Sequence, residues 1–196
     1  MDNDHPTCDI VGAVLIDIVP TAVQFQSLAD PGNAAATFHW AFLAAEYPIP
    51  EEMITAFGGD KLVEKMVLKW TGNTEAGLVR VKEALPVYKS HFLNRAVIDA
   101  SCADYRAGAT VDYTEQIEDQ KNGNKLGLPT LVVYSKEYLG SRYDVEKVWK
   151  EWVSDEGLLR TRGIGNGVGH FIPEEDPDAV TEAVLEWVNK ALKLEI

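Results

Sequence analysis

Apolar residues run together at the start of the chain and then spread into longer periods. "DIVGAVLIDIVPT" is a near-continuous apolar run bounded by turn residues. Its β-branched content and short length predict a strand buried on both faces, as in a parallel sheet, with Pro20 ending it. From residue 33 to about residue 104 the period becomes helical. "NAAATFHWAFLAAEY" predicts a helix closed by Pro48, and "PEEMITAFGG" a short one stopped by paired glycines. In "GDKLVEKMVLKWTG", Asp60 reads as the cap, with Leu62, Met66 and Trp70 on one stripe. "TEAGLVRVKEALPVYKSHF" starts another helix, with an interruption expected near Pro86. "DYTEQIEDQKNGN" is polar and ends in turn residues.

The period then shifts back. "LPTLVVYSKE" predicts a second buried strand, "YDVEKVWKEWV" a helix, and "LLRTRGI" a third, shorter strand. "DPDAVTEAVLEWVNKALKLEI" predicts an amphipathic closing helix that starts at Asp176 or Pro177. Three strands with helices between them make the fold class α/β, with a helical insertion after the first strand.

Composition changes this picture little. At 196 residues the chain is long enough for one domain with a real core. A net charge of −13 without a basic patch argues against nucleic-acid binding. Cys8 and Cys102 make neither a metal spacing nor a disulfide framework, so a reducing compartment is expected. "MDNDHPTCD" lacks the apolar segment of a signal peptide, and no apolar run reaches the roughly 18 residues of a membrane span. The expectation is a cytoplasmic protein without metal or cofactor. No G-x-S-x-G, phosphate-binding loop or H-E-x-x-H occurs, and "GIGNGVG" lacks the spacing of a dinucleotide fingerprint.

Loops at the ends of parallel strands carry chemistry. His170 sits in the loop after the third strand, and Asp17 ends the first. "VLIDIVPT", "FHWAFL", "DYRAGATVDY", "LPTLVVYSKEYLGSRYDVEKVW" and "GHFIPEEDPDAV" resemble the C-terminal part of haloacetate (fluoroacetate) dehalogenases. These are α/β-hydrolases related to epoxide hydrolases. The resemblance runs from about residue 5 to the C-terminus. It implies a partial core from residues 1–32 and 106–196, with a helical cap over residues 33–105.

The resemblance also implies the roles. In that family an aspartate displaces halide from carbon and forms an ester, and a histidine activates water to hydrolyse it. His170 matches the base and Asp17 the acid that orients it. His39 and Trp40 of "HW" match halide-binding donors, helped by Tyr105, with Trp70 as a further wall. Epoxide-hydrolase-like members place the acid after the next strand, where Glu137 and Asp144 stand. On that second reading, Tyr105 and Tyr113 are the tyrosines available to protonate an epoxide. The substrate is expected to be a small molecule.

The family's nucleophile, oxyanion hole, carboxylate-holding arginines and first five strands would lie upstream. The sequence therefore reads as a truncated α/β-hydrolase fold, and this chain alone is expected to be inactive. Asp2, Asp4 and Asp9 are not in the glycine-flanked turn a nucleophile needs. The bare first strand is expected to drive self-association or a homodimer, or to leave the chain marginally stable. An inactive fragment or an incomplete gene model is the remaining alternative.

Overall fold

Three short apolar segments form the predicted strands: β1 (Ala13–Ile16), β2 (Thr130–Ser135) and β3 (Leu159–Ile164). The computed structural model describes residues 10–191, so Cys8 and the aspartates Asp2, Asp4 and Asp9 lie outside the described residues. The sheet is parallel throughout, in the order β1-β2-β3, with Leu15 opposite Val132 and Val132 opposite Thr161.

The two-residue period of β2 divides the core. Leu131 and Val133 face one side, against Ile164, Val168, Ile172 and Trp187. Val132 faces the other, against Val19, Leu139, Val145, Trp149 and Leu159. Helix α11 (Pro177–Ala191) brings Trp187 to the first layer, and α9 (Val145–Lys150) brings Trp149 to the second. The indole N–H of Trp149 donates to the Ile18 carbonyl at 3.0 Å, fastening the chain beyond β1. β2 is buried on both faces, whereas β1, among the described residues, pairs on one side only and is half-buried. Ile10, Val11, Ile16 and Ile18 are exposed beside it. The expectation of a first strand buried on both faces is corrected accordingly.

Helices fill residues 21–122. They are α1 (Thr21–Ser27), α2 (Pro31–Ala36), α3 (His39–Leu43), α4 (Ile49–Phe57), α5 (Gly59–Trp70), α6 (Glu75–His91), α7 (Arg95–Ala109) and α8 (Val111–Asn122). Ile54, Ile98 and Cys102 seal α4 to α7, while Val67, Val81 and Leu85 seal α5 to α6. No helix among the described residues is long and apolar enough to cross a membrane.

Three local expectations are corrected. The helix read over residues 33–47 is two helices, because Thr37 turns out of helical geometry at φ −117° and ends α2 before α3 begins. Asp60 is not the cap of α5. Gly58, at φ 100°, holds that position and Asp60 lies in the first turn. α6 runs through Pro86, since Val81 and Leu85 pack on Val67 and outweigh the lost backbone bond. The polar stretch at residues 111–122 is helical and ends where Gly123 adopts φ 74°.

Candidate active site

All three strands deliver residues to one point at their C-terminal ends. β1 ends with Ile16, and Asp17 takes φ 50°, a left-handed conformation that a short polar side chain tolerates. Its N–H donates to the Val133 carbonyl at 2.7 Å, carrying the ladder one residue past the strand. Its side chain is 1% exposed, yet both oxygens are used. Oδ1 accepts the Ser135 N–H at 2.8 Å, and Oδ2 lies 2.6 Å from Nδ1 of His170. The Ser135 hydroxyl donates to the Val168 carbonyl at 2.6 Å and accepts the Tyr138 N–H at 2.9 Å. The end of β2 is thus tied to the His170 loop.

His170 follows a tight turn in which Asn166 and Gly167 have φ of 63° and 84°. Its N–H donates to the Trp70 carbonyl at 2.8 Å. A carboxylate on Nδ1 favours the tautomer with the proton there, leaving Nε2 as an acceptor. The side chain is 36% exposed, and the ring lies 4.8 Å from Tyr138, 5.2 Å from Phe171 and 6.2 Å from Trp70, centre to centre.

A second buried carboxylate holds this loop from behind. Glu175 closes α10 (Ile172–Glu175). Its Oε2 accepts the N–H groups of Gly72 and Gly169, both at 2.8 Å, and Oε1 accepts that of Phe171 at 3.1 Å. One side chain thereby joins the α5–α6 turn to the residues on both sides of His170. A side chain at position 169 would fall 2.2 Å from the Gly72 nitrogen, so glycine is required where the two loops touch. Sequence reasoning missed Glu175, although it stands in the "GHFIPEE" motif.

The dyad opens into a cavity of about 540 Å³ that also takes His39, Trp40, Trp70, Tyr105, Tyr138 and Arg142 into its wall. His39 is buried, and its Nδ1 has no hydrogen-bond partner. Burial, and then the positive charges of His170, Arg142 and Lys69, push its pKa down to about 4, so it is neutral at pH 7. Its ring lies 4.3 Å from Trp70 and 5.9 Å from Tyr105, and Tyr105 lies 5.2 Å from Trp40. Burial pushes the Tyr105 hydroxyl up to about 12 and that of Tyr138 upward, with Arg142 opposing the latter shift. Both remain protonated donors at neutral pH.

The structure brings together His170, Asp17, His39, Trp40, Tyr105 and Trp70. It does not bring the alternative acids to His170. Glu137 is exposed and accepts the Gly167 N–H at 3.3 Å, and Asp144 caps α9 by accepting the Lys147 N–H at 3.1 Å. Tyr113 accepts from Gln26 at 3.4 Å and does not line the cavity. Tyr138 and Arg142, which do, carried no signal in the sequence reading. They lie between the predicted second strand and the helix after it. Among the described residues no cluster of three or more His, Cys, Asp or Glu could hold a metal ion.

No family model matches this chain. It is 29% identical over 192 residues to a fluoroacetate dehalogenase from Burkholderia sp., an overlap of 97% of this chain and 59% of that protein. Among solved structures, a candidate alpha/beta hydrolase from Nostoc sp. PCC 7120 superposes with a TM-score of 0.80 at 31% identity. The match covers 92% of this chain and 58% of that one. A mutant of a candidate epoxide hydrolase from Pseudomonas aeruginosa, solved with bound MFA, gives a TM-score of 0.82 at 27% identity. There the coverage is 97% and 61%. The chain therefore spans about three-fifths of the length of these relatives, consistent with a C-terminal portion.

Proposed function

The chain forms three parallel strands and flanking helices of an α/β-hydrolase fold, and from that premise we propose that its cavity serves hydrolysis of the carbon–halogen bond of small 2-haloacids. The observation that carries this reading is the His170–Asp17 pair at 2.6 Å, with Nε2 left to a cavity whose wall includes His39, Trp40 and Tyr105. A carboxylate attacks the carbon, the carbon–halogen bond breaks, and halide leaves as an ester forms. Nε2 of His170 then takes a proton from water as the oxygen adds to the ester carbonyl, and Asp17 holds the resulting imidazolium. Collapse of the adduct frees the 2-hydroxyacid and restores the carboxylate, and the imidazolium releases its proton to solvent. His39, Trp40 and Tyr105 face the departing halide, and Trp70 closes the wall.

The attacking carboxylate is the part that the resemblance assigns outside this chain, so residues 1–196 alone are expected to be inert. The test measures halide from fluoroacetate and chloroacetate. It uses the chain by itself and the chain joined to the N-terminal two-fifths of the Burkholderia dehalogenase. Release by the chimera, abolished by His170→Gln, is expected; a folded chimera without release sinks the reading.

Tyr105 and Tyr138 favour a second reading. Two protonated hydroxyls on one cavity are the donors that epoxide opening needs, and Tyr138 takes the place that Tyr113 was expected to fill. Turnover of styrene oxide by the chimera, without halide release, selects it.

A further inference from the structure

A second cavity lies among the helices of residues 33–105, and the chemistry above leaves it without a role. It occupies about 280 Å³ between α3, α5, α6 and α7, among Phe42, Leu43, Leu62, Met66 and Phe92. No aspartate, glutamate, lysine or arginine lines it among the described residues. Phe42, Leu43, Leu62 and Phe92 pack against the sealed Ile54, Ile98 and Cys102, yet all four stay half-buried and keep apolar surface along the cavity. Protein interiors are close-packed, with few voids larger than a water, so a space of this size calls for an occupant.

Water is a poor one, because a buried water needs roughly two to four polar partners. The polar side chains here are few, and the Tyr88 hydroxyl already donates to Glu174. Apolar cavities of about 150 Å³ stay dry and take up benzene. A charged guest would find no opposite charge on this wall and would lose its hydration.

The cavity also has a position that matters. His39, Trp70, Tyr105 and Phe171 line both it and the cavity at His170, so the two stand back to back behind one layer of rings. The His39 and Trp70 rings are 4.3 Å apart within that layer. Asp17 and His170 line one side only, and Leu62 and Met66 the other.

We propose that this cavity is a second ligand site, which takes a small uncharged apolar group, one aromatic ring or a short branched alkyl chain. The group comes as a molecule of its own or as the substituent of a ligand seated in the catalytic cavity. Either way it presses on the rear of His39, Trp70 and Tyr105. The site does not depend on the dehalogenation reading.

The experiment titrates the chain with toluene and follows the side-chain signals of Leu62, Met66 and Trp70 by NMR. The indoles of Trp149 and Trp187, which pack on the sheet, serve as distant references. Saturable shifts at the first three with a Kd on the order of 1 mM are expected, with the references still. Ser101→Leu and, independently, Val63→Phe fill the space from α7 and from α5, and each should weaken toluene about tenfold or more. No saturable shift in wild type, equal shifts at Trp149 and Trp187, or undiminished binding by the folded variants would overturn the proposal. Phenylacetate, the same ring carrying an acid, separates the two sources. Displacement of toluene together with a shift at His170 shows that the ring arrives attached to an acid, and toluene binding unchanged beside phenylacetate shows a separate molecule. Toluene binding without halide release by the chimera leaves the site standing while the dehalogenation reading fails.

Discussion

Asp17 at the end of β1 and Glu175 at the end of α10 are both buried carboxylates, and both hold the His170 loop, but by different partners. Glu175 spends its oxygens on backbone N–H groups of Gly72, Gly169 and Phe171. None of these can give up a proton, so the contact fixes position and nothing else. Asp17 spends one oxygen on the backbone of Ser135 and the other on an imidazole, a group that can exchange its proton with a ligand. Burial of an acid therefore does not by itself mark chemistry; the kind of donor it meets does.

The contrast breaks most easily at Glu175. Glu175→Ala strands three N–H groups at once, that of Gly169 fully buried, and should lower stability by about 3–5 kcal/mol in urea unfolding. A loss below about 1 kcal/mol would mean that water replaces the carboxylate and that the junction is not held by it.

His39 supplies the opposite case, a buried titratable ring whose Nδ1 has no partner. Its pKa falls from an ordinary 6.5 to about 4 on folding, so the unfolded chain binds the extra proton first. The stability tied to this ring is complete above pH 6.5, declines as pH drops, and is lost at about pH 4, by up to about 3 kcal/mol. His39→Gln should flatten that part of the stability-against-pH curve. An unchanged slope between pH 6.5 and 4 would show that carboxylates elsewhere set it.

Asp17→Asn is the gentlest of the three. Asparagine keeps the bond to the Ser135 N–H and tolerates the same backbone, so the cost should be about 1–2 kcal/mol. The larger change is in the ring, because an amide no longer favours the proton on Nδ1. Nitrogen-15 NMR of His170 reads this directly, and an unshifted tautomer would show that Asp17 does not orient the imidazole.

The strands were legible because β-branched runs such as "TLVVYS" fit few other places, and the dyad was legible because "DIVPT" and "GHFIPEE" are patterned by resemblance. What escaped depends on partners far along the chain. Glu175 meets Gly72 across 103 residues, and nothing local distinguishes it from the exposed acids of a helix start. α1 follows Pro20 with no side-chain cap, so it left no start signal. Thr37 leaves helical geometry at φ −117° in a run of good helix formers, and the local sequence carries no breaker there. Arg142 and Tyr138 lie four apart in a turn, and only the folded loop sets one upon the other.

The left-handed bend at Asp17 has an evolutionary consequence. At φ 50° the replacements that keep the backbone at ease are glycine and asparagine. Aspartate and asparagine codons differ by a single G-to-A transition at the first base. A lineage can therefore lose the carboxylate that faces His170 in one mutational step while the bend survives. Among sequences that share this fold, asparagine at this position would be the mark of chemistry abandoned before architecture.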